Sequence, residues 1–75
     1  MRSALFNARS WAESAVETEI ALDGGLMSPA KAIQRVIDKI GECEYDDELS
    51  AKQQAAALRA LNTMAAIRQT ANTIS

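Results

Sequence analysis

Between Ser50 and Thr73 no glycine or proline interrupts the chain, and alanine recurs throughout. Nothing in that run breaks a helix and much of it favours one, so it predicts the longest helix of the protein. Ser50 followed by Gln53 reads as its start, a capping box in which each side chain satisfies the other residue's backbone N–H. The constraint on the fold comes from the distribution of apolar residues around this helix. Leu58, Leu61 and Ala65 form one seam, and Ala57, Ala60, Met64, Ile67, Ala71 and Ile74 form a second. Together they cover roughly 200° of the circumference, against the ~100° stripe of an ordinary surface helix. One seam needs one neighbour. Two seams need two, supplied either by the rest of the chain or by another molecule.

The rest of the chain offers two helices. In the first segment Leu5, Ala8, Ala12, Ala15, Val16 and Ile20 fall on one stripe, flanked by Trp11 and Leu22 on one side and by Phe6 on the other. Gly24 and Gly25 stop it, because glycine takes the left-handed conformation without steric cost. The second segment opens with Ser28 as N-cap and Pro29 at the first helical position, where its missing N–H loses nothing. Ile33, Val36, Ile37 and Ile40 then repeat at helical spacing. Gly41 is either the end of this helix or a point inside it, and the pattern favours continuation to Cys43, read as a small buried hydrophobe.

These patterns predict an all-α protein, with helices over about 3–22, 29–43 and 50–73 and no strand. Short connections favour antiparallel neighbours, hence a single up-down-up three-helix domain over residues 1–75. Alanine supplies fifteen of the 75 residues, while Leu, Ile, Val and Phe together supply only one in five. For so small a chain, burial and the ordering of the backbone nearly cancel, so self-association, as a homodimer, is expected.

Composition excludes several function classes. There is no histidine, which removes the commonest general base, the commonest zinc ligand and every Ser-His-Asp or Cys-His nucleophile. The three glycines form no phosphate-binding loop. Cys43 is the single cysteine and cannot form an internal disulfide, which fits a reducing, cytoplasmic setting. No membrane-spanning run occurs, and residues 1–9 lack the continuous apolar stretch of a secretory leader. Neither an enzyme nor a cofactor or metal site is expected.

The candidate functional residues are therefore those of an interaction surface. Phe6, Trp11, Met64, Ile67, Ala71 and Ile74 are the expected partner-binding residues, two aromatics of the first segment together with the exposed apolar seam of the third helix. Between Glu42 and Glu48 lie five carboxylates in seven residues. Of these Glu44, Asp46, Asp47 and Glu48 are expected to form an acidic rim that biases the choice of partner. No glycine-centred calcium loop is present among them. Leu26 and Met27 are expected to fold back on the end of the first helix. Glu19 and Asp23 fall within the first helix's apolar arc and Arg68 within the third's. A charge on an apolar face needs a partner, and parallel first and third helices place Arg68 near those acids, so a structural ion pair is expected.

The expected function is a non-enzymatic protein–protein interaction module, a small regulator, inhibitor or adaptor that binds a protein partner through an apolar helix surface. The alternative is a dimeric nucleic-acid-binding regulator that contacts phosphates through the third helix. Residues 49–75 carry Lys52, Arg59 and Arg68 and no acid, which favours it. The net charge of −2 and the lack of a helix-turn-helix pattern count against it.

Overall fold

The computed structural model describes the backbone of residues 5–74 and the side chains of residues 5–68. Three helices follow one another, α1 (Ala8–Leu22), α2 (Pro29–Gly41) and α3 (Ala51–Ile74), each packed against both others. No strand occurs among the described residues.

Each helix has a legible start. Before α1, Asn7 is extended and its side chain accepts a hydrogen bond from the Ser10 N–H at 3.0 Å. An Asn side chain that captures an orphan donor in this way fixes the first turn. The helix expected from residue 3 therefore begins at Ala8, and Leu5, 94% exposed, does not join the apolar stripe. At α2, the Ser28 hydroxyl accepts from the Lys31 N–H at 3.3 Å, and Pro29 stands at the first position. At α3 the capping box closes reciprocally. Ser50 N–H donates to the Gln53 side chain at 2.9 Å, and Gln53 N–H donates to the Ser50 hydroxyl at 3.1 Å.

Two helix ends use the same device with different residues. After α1, Gly24 and Gly25 take φ values of 68° and 82°. Gly24 N–H bonds the Ala21 carbonyl at 3.0 Å and Gly25 N–H bonds that of Ile20 at 2.9 Å, a Schellman closure. After α2, Cys43 N–H bonds the Ile40 carbonyl and Glu44 N–H that of Lys39, both at 3.1 Å. Here the left-handed residue is Cys43, with φ 63°. The second helix thus ends at Gly41, two residues short of the expected boundary, and its terminating turn leaves Cys43 exposed rather than buried.

The core takes one fully buried alanine from each helix, Ala12, Ala32 and Ala57, with Ile33, Val36 and Leu61 filling the space between. Small residues at the crossings let helix axes approach closely. Val16 and Ile40 extend this core, and Leu49 seals it from the α2–α3 connection. Met27 packs against it, but Leu26 is 88% exposed and does not fold back on α1.

The helices differ in length, and this shapes the site. At 1.5 Å per residue α3 extends about 36 Å, whereas α1 and α2 extend only about 22 and 20 Å. On α3, Ala57 and Leu61 are buried, and Leu58, Ala60, Met64 and Ala65 are half-buried. Beyond them Ile67 and Arg68 are exposed.

Candidate functional site

The second seam of α3 reaches the surface where its cover runs out. Ala60 and Met64 are half-buried, and Ile67, one turn further, is 65% exposed. They form an apolar strip facing α1. On one side a cleft of about 300 Å³ is lined by Arg9 and Glu13 of α1 and by Arg59, Ala60, Thr63, Met64 and Ile67 of α3. On the other, a wider depression is bounded by Glu13, Ser28, Pro29, Ala30, Met64, Ile67 and Arg68. Glu13, Met64 and Ile67 border both, so the two depressions adjoin along the strip and together form a trough between α1 and α3.

Its rim is basic. Arg9, Arg59 and Arg68 line the trough against the single carboxylate of Glu13, which pairs with Arg9 at 3.6 Å along α1. At about 100° per residue, Arg59 stands roughly 100° to one side of the strip's centre and Arg68 roughly 80° to the other. An apolar floor between guanidiniums suits a ligand that is greasy along its middle and negative along its edges.

Other expected site residues lie elsewhere. The acidic residues do not border this strip. Their connection precedes α3, and Ala51 at its start is about 20 Å along the axis from Met64. There Asp46 accepts a hydrogen bond from the Gln54 side chain at 3.1 Å, Glu44 borders a shallow depression with Arg35 and Lys39, and Glu48 borders one with Trp11. Asp47 is exposed on the same connection. Trp11 is half-buried, with its ring meeting that of Tyr45 edge-on at 5.0 Å and 88°. It ties α1 to the acidic connection and does not line the trough. Phe6 is 37% exposed before the first helix, outside the trough lining. The side chains of Ala71 and Ile74 lie outside the described residues.

The expected pairing of Arg68 with Glu19 or Asp23 is replaced by another. Glu19, 5% exposed, accepts a hydrogen bond from Lys39 at 2.6 Å and pairs with Arg35 at 3.5 Å. Both cations come from α2. Arg68 instead shares its depression with Glu13, about 9 Å further back along α1, and Asp23 is the exposed C-cap of that helix. The hydrogen bond from Lys39 to Glu19 raises the lysine pKa above its ordinary 10.5. Burial raises that of Tyr45 above 10.0. The spacing of Arg35 and Lys39 at i, i+4 is the sequence signal for this clamp, but both residues sit outside the apolar stripe of α2, so hydrophobic periodicity does not point to them.

Among the described residues no buried side-chain nitrogen or oxygen lacks a hydrogen-bond partner, and no cluster of metal-ligating side chains forms. Among the described residues no helix is long and apolar enough to cross a membrane. No protein-family model matches the chain, and neither the curated proteins nor the solved structures give a match.

Proposed function

We infer that this protein is a non-enzymatic protein–protein interaction module, acting as a small regulator, inhibitor or adaptor, which holds a protein partner on the trough between α1 and α3. The observation that carries the reading is Ile67. A large aliphatic side chain 65% exposed, continuous with half-buried Met64 and flanked by charges, is an apolar surface with a polar rim. Such surfaces mark interaction sites more often than scattered exposed hydrophobics do. The lone exposed thiol of Cys43 is compatible with a reducing cytoplasmic setting.

The test is photo-crosslinking in the cells that make the protein. A photoreactive amino acid replaces Thr63, beside the trough, or Glu17, an exposed residue outside it. A defined crosslinked polypeptide from position 63, absent from position 17 and lost with Ile67→Lys in the same chain, supports the reading. Equal products from both positions, or a product that survives Ile67→Lys, overturns it.

A further inference from the structure

The trough carries chemical information about its occupant. Three guanidiniums, those of Arg9, Arg59 and Arg68, face one carboxylate, and Glu13 already pairs with Arg9. Arg59 and Arg68 stand on opposite edges of the Ala60–Met64–Ile67 strip, about 14 Å apart along α3. A partner that lays apolar side chains on the strip must bring its flanks against these two cations. Resting on the docking reading above, the geometry points to an amphipathic helix of another protein, with acidic residues on both sides of its apolar stripe, about two and a half turns apart.

A second copy of this chain fits less well. Residues 49–75 contain three cations and no acid, so a copy of α3 laid on the strip sets guanidinium against guanidinium. Like charges at an interface disfavour that contact. The acidic connection of a copy has the right charge but the wrong body. Its apolar residues face inward, with Tyr45 half-buried against Trp11 and Leu49 buried in the core, leaving nothing to fill the strip. Nucleic acid would satisfy the arginines but not the exposed aliphatic floor between them.

The experiment titrates the intact protein into a fluorescent peptide of about five helical turns, with a leucine stripe flanked by glutamates. A sister peptide carries lysines in place of the glutamates. The glutamate peptide is expected to bind, the lysine peptide at least about tenfold more weakly. Ile67→Lys abolishes binding, and the double variant Arg59→Glu/Arg68→Glu reverses the preference between peptides. The exchanged residues are exposed, and circular dichroism checks that each variant keeps wild-type helix content and unfolding midpoint. Equal or tighter binding of the lysine peptide overturns the inference. So does failure of both peptides while Ile67→Lys still removes the crosslinked partner in cells, and in that case the docking reading stands. Loss of the crosslink's dependence on Ile67 overturns the docking reading itself. Micromolar self-association that Ile67→Lys dissolves assigns the trough to a second copy. Oligonucleotide binding that weakens steeply with salt and requires Arg59 and Arg68 assigns it to nucleic acid. Either result overturns the inference.

Discussion

Glu19 of α1 accepts a hydrogen bond from Lys39 of α2 at 2.6 Å, and the two partners differ in burial. The Glu19 side chain is 6% exposed and that of Lys39 27%. The carboxylate has given up its water and depends on α2 for compensation, while the ammonium keeps access to solvent. Removing the lysine should therefore cost more than neutralising the acid. Lys39→Met is expected to lower stability by about 2 kcal/mol and Glu19→Gln by about 1 kcal/mol. The double variant should lose less than the sum of the two, because the pair is coupled. Urea unfolding of the four proteins measures this, and a Glu19→Gln cost above that of Lys39→Met would contradict the assignment.

Alkaline pH should weaken the fold through the same region. The folded protein holds the Lys39 proton more tightly than the unfolded chain does, chiefly through the hydrogen bond to Glu19. Tyr45 also holds its proton more tightly, because burial disfavours the phenolate. A group whose pKa rises on folding contributes fully below its unfolded value and loses that contribution as pH climbs through the folded one. The ordinary values of 10.5 for Lys39 and 10.0 for Tyr45 place the decline above pH 10. Urea unfolding from neutral to strongly alkaline pH should show it, and the decline should be shallower in Lys39→Met.

Cys43 ends α2 in a conformation that suits glycine, with φ 63°. Replacing a non-glycine residue there by glycine relieves about 1 kcal/mol. Cys43→Gly is therefore expected to raise the thermal midpoint, whereas Cys43→Val should lower it. Two residues earlier the reverse holds. Gly41 is the last residue of the helix, its φ is not positive, and a Cβ there would meet nothing within 4 Å. Gly41→Ala should stabilise by about 0.5 kcal/mol. Differential scanning calorimetry of the three variants separates these effects.

Along α3, position decides the cost of substitution. Leu61 is fully buried and Ile67 is 65% exposed, six residues away on the same helix. Leu61→Ala should cost about 3 kcal/mol by leaving a cavity. Ile67→Lys should change stability by no more than about 0.5 kcal/mol. If chemical denaturation finds Ile67→Lys as damaging as Leu61→Ala, the strip belongs to the monomer's own core.

The N-terminal cap of α3 gives a further check. Ser50→Ala removes the acceptor that holds the Gln53 N–H at 3.1 Å. The expected loss is about 1 kcal/mol. It should appear in urea unfolding, and Ser50→Asp should recover most of it, since aspartate accepts the same bond.

Local chemistry made several of these features readable in advance. The Ser50–Gln53 box, Ser28 with Pro29, and the stop at Gly24 and Gly25 are contacts between residues close in sequence, so the residue types name the geometry. The excess apolar arc of α3 was equally legible, because helical spacing alone defines it. Asn7 is a cap residue of the same local kind, but the apolar spacing runs past it to Leu5 and masks the start it sets. The left-handed turn at Cys43 carried no such signal, because the glycine that advertises a stop lies two residues earlier.

The amino-acid order thus determined three helices, most of their boundaries and the surplus of apolar surface on the last. Which charges meet was decided only by packing. A carboxylate on an apolar arc requires a cation, but the arc does not say from which helix it comes. The packing of α1 against α2, with Ala12 and Ala32 both fully buried, accompanies the pairing of Glu19 with Arg35 and Lys39, and Arg68 stands instead at the trough. Likewise the rim of the strip is basic because packing brings Arg9 of α1 beside Arg59 and Arg68 of α3, while the acidic connection lies before the start of α3. Periodicity fixes the angle of a residue about its own helix, but the rotation and offset between helices arise from side chains far apart in the chain interlocking at once.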